Sequence, residues 1–139
     1  MTAMDKKTRE NFLGDTKIAV LSTNTEEGPP FSVPIWFEWD GSRACFFTSA
    51  NSPKMERMAT DSQVSLLVAN PSGAPEQWVL IEGRVEITER NAFDLAERLA
   101  HRYWDMEDPA HIKMVEEWRA SATSLRLLEI LPTRIRSSN

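Results

Sequence analysis

Residues 31–58, FSVPIWFEWDGSRACFFTSANSPKMERM, constrain the fold of this chain more than any other stretch. Apolar side chains occupy alternate positions from Phe31 to Trp39, which is the periodicity of a β-strand. Asp40-Gly41 then predicts a two-residue hairpin turn, because glycine accepts the positive φ that such turns require. Residues 43–49 are rich in aromatic side chains and return as a second strand. The chain is therefore expected to be built on an antiparallel sheet.

The second strand leads directly into a helix that carries a lysine. Ser52-Pro53 predicts the start of this helix, because serine can cap free N–H groups and proline at the first helical position loses no needed donor. The turn gathers Thr48, Ser49, Ser52 and Lys54 near a helix N-terminus, where an anion is stabilised. A bound anion would also explain a cation in a first turn, where it opposes the helix dipole. The same residues are common in ordinary loops, so a phosphate site and a plain helix start both remain open.

The rest of the chain extends the sheet and adds helices. Four further segments have the composition of strands: residues 17–24, 63–70, 78–88 and 121–131. Helical spacing or capping pairs predict helices at residues 5–13, 90–104 and 109–118, and the polar residues 134–139 are predicted to fray. Gly83, inside a long strand, predicts a bulge or sharp bend. Six strands flanked by helices predict a β-rich α+β domain, a closed antiparallel barrel with helical additions.

Length, charge and cysteine content limit the classes of protein to consider. A chain of 139 residues predicts a single domain over residues 1–139. The net charge of −5 argues against nucleic acid as a partner but leaves room for a small anionic ligand. The single cysteine, Cys45, allows no disulfide within the chain and no metal spacing is present, which suits a reducing cytoplasm. No apolar run is long enough to cross a bilayer, so we expect a cytoplasmic protein with no membrane partner.

Classical catalytic groups are scarce in this sequence. His101 and His111 lie on predicted helices, and no serine or cysteine sits in a recognisable nucleophile motif. Cys45 is interpreted as a small core residue. The sequence therefore assigns no catalytic residue and leaves open whether the protein is an enzyme. If it is one, a cofactor is expected to carry the chemistry.

Tryptophans are frequent in the predicted strands. Trp36, Trp39 and Trp78 fit either a protein core or a dimer interface. Aromatic, apolar strands beside an anion site would also suit a planar, phosphorylated ring system. Sequence composition does not decide between these interpretations.

Four segments in this order, VPIWFEWDG, FFTSANSPKMERM, QVSLLV and WVLIEGRVEIT, resemble the flavin-binding split β-barrel proteins related to pyridoxamine 5'-phosphate oxidase. The similarity runs from about residue 12 to residue 136, and the ending LLEILPTRIR resembles the last strand of that family. The resemblance implies a six-stranded antiparallel split barrel with flanking helices. It also implies a homodimer with two cofactors at the subunit interface.

The resemblance identifies positions that would contact a flavin. With Ser49 from the cluster described above, the implied cofactor-binding residues are Val33, Pro34, Ile35, Trp36, Phe47, Thr48, Ser49, Ser52, Lys54, Gln77 and Trp78. The first four match a family strand lying along the flavin ring, and the Ser-x-Lys pair matches the residues that hold the flavin phosphate. Gln77, one position before Trp78, matches a glutamine that contacts the ring in some members.

The sequence also departs from the family pattern. Many members carry an arginine where this chain has Pro53, and Arg57, one helical turn after Lys54, could supply that charge. The residues that bind the substrate phosphate in true pyridoxamine phosphate oxidases are not recognisable, so vitamin B6 synthesis is not expected. The resemblance further suggests Tyr103, Trp104 and Trp118 as residues that cover the partner's flavin, although core packing explains them equally well.

The leading hypothesis is a homodimeric oxidoreductase that uses FMN and acts on a small molecule that the sequence does not identify. The first alternative is the deazaflavin coenzyme F420 on the same fold, since the VPIWF strand and residues 102–104 also resemble that branch of the family. The F420 tail is acidic and requires a basic groove, so the acidic net charge favours FMN. A non-catalytic flavin-binding or storage protein is the second alternative.

Overall fold

The computed structural model describes residues 3–139, which form helices and strands in one sheet. In chain order the elements are α1 Lys6–Gly14, β1 Ala19–Thr23, β2 Phe31–Ile35, β3 Glu38–Trp39, β4 Ala44–Ser49, α2 Pro53–Thr60, β5 Gln63–Ala69, β6 Trp78–Thr88, α3 Ala92–Tyr103, α4 Pro109–Ala120 and β7 Leu125–Ser137. A short 3₁₀ turn, Ala122–Ser124, joins α4 to β7. Within the described residues, no helix is both long and apolar enough to span a membrane.

The sheet curls into a split barrel. All neighbouring strands are antiparallel, in the order β2-β1-β5-β6-β7-β4-β3. The two edge strands, β2 and β3, are separated in the chain by only Trp36 and Phe37. Because three residue steps reach at most about 11 Å, the two edges of the sheet must come together. The predicted antiparallel split-barrel class is confirmed.

The strand count is seven rather than the predicted six, because the predicted strand at residues 31–39 bends in the middle. Its first half pairs with β1, and its second half pairs with β4 on the other edge of the sheet. The predicted hairpin follows directly: Gly41 has a φ of 99°, and the N–H of Asp40 donates to the carbonyl oxygen of Arg43 at 3.1 Å. The turn residues are Gly41-Ser42, one position later than predicted.

The barrel interior is filled by alternate residues of the strands. Its fully buried large side chains include Leu21, Phe37, Phe46, Leu66, Ile81, Leu128 and Ile130. Helix α1 begins where the Asp5 carboxylate accepts the N–H of Thr8 at 2.8 Å, and it buries Phe12 and Leu13. Met58 anchors α2 to the same core.

A second core lies on the outer side of the barrel, where α3 and α4 cover β4 and β7. It is built from Leu95 and Leu99 of α3 against Leu125 and Leu127 of β7. Cys45 of β4 belongs to this core, and burial raises the pKa of its thiol to about 12. The cysteine is therefore a packing residue, as the sequence indicates.

Gly83 lies at the predicted irregularity of the long strand β6. The pairing of β6 with β7 shifts between Glu82 and Gly83, so that Thr133 is an extra residue on β7. A Cβ atom at Gly83 would lie 2.1 Å from the carbonyl oxygen of Leu131. Glycine is therefore required at this bend, and the prediction is confirmed.

The prediction that the last strand ends before Pro132 and that residues 134–139 fray is wrong. Strand β7 continues to Ser137, which pairs with Val79 of β6. The buried Ser138 donates its N–H to the carbonyl oxygen of Trp78 at 3.0 Å and accepts the N–H of Met4 at 2.9 Å. Pro132 does not end the strand, because it sits at the bulge, where regular ladder donors are not needed.

Candidate functional site

The predicted phosphate cluster comes together where β4 meets α2. Thr48, which is buried, donates its hydroxyl to Oγ of Ser52 at 3.0 Å. Ser52 occupies the N-cap position, but its side chain makes no capping hydrogen bond. The predicted side-chain cap is therefore absent, and the Ser52 hydroxyl proton remains able to reach a ligand. Proline at the first helical position completes the predicted helix start.

Lys54 and Arg57 place two cations side by side on this helix. The pKa of Lys54 is lowered from its usual value of 10.5, first by burial and then by repulsion from Arg57. Among residues 3–139, the Lys54 ammonium has neither a carboxylate within ion-pair distance nor a hydrogen-bond acceptor. Two cations held together in this way stabilise a bound anion. Ser49, at the end of β4, is exposed beside this group.

Arg57 is fixed by contacts that connect α2 to β1 and β2. Its Nε donates to Oγ1 of Thr23 at 2.8 Å, and its guanidinium lies 4.3 Å from the centre of the Phe31 ring. The sequence predicted a role for Arg57 but not these partners. Thr23 is recognisable only as the polar last residue of its strand, and nothing in the sequence links it to a residue 34 positions away.

The predicted ring-contacting strand, β2, lies at an edge of the sheet. Val33 and Ile35 are half-buried and pack against the barrel core, whereas Pro34 is exposed. An edge strand leaves backbone N–H and C=O groups unpaired, and these suit the hydrogen-bonding edge of a planar heterocycle. Proline is tolerated at such an edge because it lacks a donor.

Trp36 and Phe47 belong to an aromatic cluster that also contains Tyr103, Trp104 and Trp118. Trp36 stacks on Tyr103, with ring centres 5.1 Å apart and planes 1° apart. It also meets the edge of Trp104 at 4.7 Å. Phe47 contacts Trp118 at 5.2 Å, and Trp118 stacks on Trp104 at 5.5 Å. Two of the predicted cofactor residues are therefore held by helices α3 and α4 of their own chain.

Tyr103 fixes the bend between β2 and β3. Its hydroxyl donates to the carbonyl oxygen of Lys17 at 2.6 Å and accepts the N–H of Phe37 at 3.3 Å. This contact spans 66 residues of sequence, so no local pattern could have predicted it. Trp36 takes its position from the bend and from the Tyr103 ring together.

Gln77 and Trp78 lie apart from the other predicted residues. They stand at the start of β6, beside a cleft of about 630 Å³ that Leu67 and Leu80 also line. The Gln77 side chain accepts a hydrogen bond from Asn70 at 3.2 Å. Strand β6 is three strands from β2 in the sheet, which corresponds to about 14 Å. A single chain therefore does not bring Gln77 and the β2 segment onto one small ring.

Comparison with known proteins agrees with this architecture. The family model for pyridoxamine 5'-phosphate oxidase matches residues 4–138. An F420 reductase has 22% identity and a TM-score of 0.74, covering 91% of this chain and 94% of its own. A putative pyridoxamine 5'-phosphate oxidase from Listeria innocua has 18% identity and a TM-score of 0.70, covering 96% and 98%. A FAD-binding protein from Mesorhizobium loti has 16% identity and a TM-score of 0.65, covering 99% and 97%.

No curated protein has a sequence that matches this one. At these levels of identity, the three solved structures establish only the fold. The chemistry must be inferred from the residues of this chain.

Proposed function

Since the chain belongs to the pyridoxamine 5'-phosphate oxidase family, we propose that it is a homodimeric oxidoreductase that binds FMN at the subunit interface. A flavin, when bound, supplies hydride transfer at its ring, and the protein supplies binding, orientation and shielding. The observation that carries the proposal is the half-buried Lys54 beside Arg57: among the described residues, no carboxylate lies within ion-pair distance of the Lys54 ammonium.

The residues present fit the phosphate end of FMN. Lys54 would donate a charge-assisted hydrogen bond to a phosphate oxygen, and the Ser52 hydroxyl would donate a second bond. Thr48 orients the Ser52 hydroxyl by donating to its oxygen at 3.0 Å. The α2 N-terminus adds the favourable end of the helix dipole. These groups bind and orient, and none of them needs to exchange a proton during the reaction.

The β2 edge fits the ring end of the same ligand. Val33 and Ile35 supply half-buried apolar contacts, and the free backbone edge supplies donors and acceptors. Trp36 and Phe47, held by the aromatic cluster, would limit the access of water from the side of α3 and α4. Because the described groups include no obvious acid or base at this place, the reaction is assigned to the cofactor.

A second copy of the chain would complete the site. Leu67 of β5, which is 38% exposed, lies on the outer face of β2, β1, β5 and β6, and Ile18, directly before β1, is 51% exposed. Pro34, Val20, Leu67 and Leu80 are cross-strand neighbours on this face. Covering an apolar row of this kind by another chain is favourable. In such a dimer, Gln77 and Trp78 of one protomer could reach a ring bound along β2 of its partner.

The alternative cofactor is F420, bound by the same fold. The likeness to an F420 reductase supports this alternative. A cleft of about 650 Å³ next to Arg57 is also lined by Glu26, Glu27, Glu56 and Asp61. Four carboxylates oppose an anionic extension, whereas the phosphate of FMN is terminal. This arrangement favours FMN.

Titration of the purified protein with FMN, F420 and riboflavin, followed by absorbance and fluorescence, tests the proposal. We expect tight binding of FMN, weaker binding of riboflavin and little response to F420. Preference for F420 would transfer the proposal to the deazaflavin branch. Tight FMN binding without reduction by any nicotinamide donor would favour a binding or storage role.

A further inference from the structure

Most arginines of this acidic protein have a described partner. Ion pairs hold Arg9, Arg43, Arg98, Arg119, Arg126 and Arg136. Arg57 and Arg102 are fixed by hydrogen bonds to neutral oxygens. Within residues 3–139, the three arginines whose side chains make neither an ion pair nor a hydrogen bond are Arg84, Arg90 and Arg134. Two of these three, Arg84 and Arg134, line the same cleft, of about 520 Å³.

This arginine cleft, defined by Arg84 and Arg134, lies on the outer face of the sheet where β1, β5, β6 and β7 are neighbours. Cross-strand pairing places Ser22 beside Ser65, Ser65 beside Glu82, and Glu82 beside Arg134. The same pairing places Arg84 beside Gln63. The side chains of a row of this kind project to one face of the sheet. Two guanidiniums therefore converge on a surface of hydroxyl and amide groups.

The bulge at Gly83 helps to form the cleft. Gly83 and the extra residue Thr133 both line it, and the Thr133 hydroxyl donates to the carbonyl oxygen of Glu82 at 3.2 Å. The backbone feature that bends the barrel thus also contributes two residues to the lining of the cleft.

The nearby carboxylates do not neutralise the two arginines. Glu82, which lines the cleft, is paired with Arg136 at 2.7 Å. Asp61 interacts with Arg84 only at longer range, and its oxygens accept bonds from the Asn24 side chain at 2.9 Å and from the Gln63 N–H at 3.0 Å. The cleft therefore carries an excess of positive charge on a chain whose net charge is −5.

We propose that the arginine cleft is a second binding site, which takes a small molecule bearing carboxylate or phosphate groups. Guanidiniums bind such groups through paired hydrogen bonds, and the serine, threonine and amide side chains suit hydroxyl groups on the same ligand. The site is distinct from the FMN site. The residues that line the arginine cleft include none of Thr48, Ser52, Lys54 and Arg57.

Calorimetric titration of the full-length protein with citrate and with inorganic phosphate, with and without FMN, tests this proposal. We expect saturable binding of one anion per chain, and the stronger of the two probes identifies carboxylate or phosphate as the preferred group. Arg84→Gln and Arg134→Gln should each weaken this binding about 10- to 100-fold, since each removes charge-assisted hydrogen bonds. Both side chains are exposed, so these variants are expected to fold.

Arg90→Gln is the matched control, because Arg90 also lacks a described partner but does not line the cleft. It should leave anion binding unchanged. Glu82→Gln should strengthen binding, because it removes the carboxylate from the cleft and frees Arg136. FMN affinity should stay the same in all four variants, so failure of the FMN proposal and failure of this one are distinguishable.

Three results would overturn the proposal. One is the absence of saturable binding of either probe. Another is an equal loss in Arg90→Gln, which would indicate general charge screening. The third is dissociation of a dimer by Arg84→Gln or Arg134→Gln without any anion binding by the parent protein. That outcome would assign the arginines to contacts between two copies of the chain.

Discussion

At the scale of the residue, Lys54 differs from an ordinary surface lysine because burial and Arg57 lower its pKa. We expect Lys54→Ala to weaken FMN binding about 10- to 150-fold, because hydrogen bonds to charged groups contribute roughly 1.5–3 kcal/mol. Riboflavin has the same ring without the phosphate, so its affinity should change little. Fluorescence titration of both ligands measures the difference.

Glu56→Ala is the control for this substitution. Glu56 is exposed on the same helix and lies about 200° around from Lys54 at two positions' spacing. Its removal should leave FMN binding unchanged or slightly stronger. Matching losses at positions 54 and 56, or an equal loss of riboflavin, would mean that Lys54 supports the helix and not the phosphate.

The pH dependence of binding gives a second test at the same residue. Burial and Arg57 lower the pKa of Lys54, and a bound phosphate would raise it again by favouring the ammonium form. FMN affinity should therefore fall as pH rises through the lowered pKa of the free protein towards 10.5. This fall should be absent in Lys54→Ala, and riboflavin corrects for ionisation of the ring. An identical pH profile in both proteins would contradict the assignment.

The same shift affects the stability of the free protein with the opposite sign. A lysine whose pKa is lower in the folded state binds more protons when unfolded, in the pH window between the two pKa values. The free energy of unfolding contributed by Lys54 therefore rises with pH in that window. Ligand binding and ligand-free stability should thus respond to alkaline pH in opposite directions.

At the scale of the element, strand β6 requires glycine at position 83. An added Cβ atom would meet the backbone of Leu131 at 2.1 Å and 2.8 Å, and backbone cannot move aside cheaply. Gly83→Val should lower the free energy of unfolding by about 1–3 kcal/mol, and Gly83→Ala should also destabilise the protein. Thermal or urea unfolding measures the change.

Gly14→Ala is the matched control for Gly83→Ala. Gly14 is the last residue of α1, and a Cβ atom there would meet nothing within 4 Å. Its substitution should leave the melting temperature almost unchanged. A Gly83 variant as stable as the Gly14 variant would show that the bulge relaxes without cost.

Most elements were predictable because their signals are local. Alternating apolar residues identified the strands, and Ser52-Pro53 marked the start of α2. The predicted phosphate cluster formed for the same reason, since Thr48 and Lys54 are six positions apart and joined by one turn. Contiguous sequence carries this kind of information well.

The errors arose where distant residues decide the local structure. The bend after β2 depends on the Tyr103 hydroxyl, which is 66 residues away. The continuation of β7 past Pro132 depends on the bulge opposite Gly83. The contact of Arg57 with Thr23 likewise joins segments 34 positions apart. Periodicity and propensity describe neighbours along the chain, so they could not specify these pairings.

At the scale of the whole molecule, the two halves of the outer sheet surface differ in how they are covered. Helices α3 and α4 cover β4 and β7, whereas the outer face of β2, β1, β5 and β6 carries exposed apolar side chains. We therefore predict that the protein is a dimer at micromolar concentration, associated through the row of Pro34, Val20, Leu67 and Leu80, which lies beside the arginine cleft on this face. Sedimentation velocity with and without FMN measures the state of association.

Leu67→Lys provides the directed test of this interface. Leu67 is 38% exposed, and a charge introduced at the centre of an apolar contact should dissociate the dimer and weaken FMN binding together. Ile87→Lys is the matched control, because Ile87 is also 38% exposed but lies on β6 beyond the end of its pairing with β5. It should leave the dimer intact. A parent protein that sediments as a monomer with FMN present would contradict the prediction, as would equal dissociation by both variants. If Leu67→Lys instead dissociates the dimer but binds FMN as tightly as before, each chain holds its cofactor alone and the interface serves only assembly.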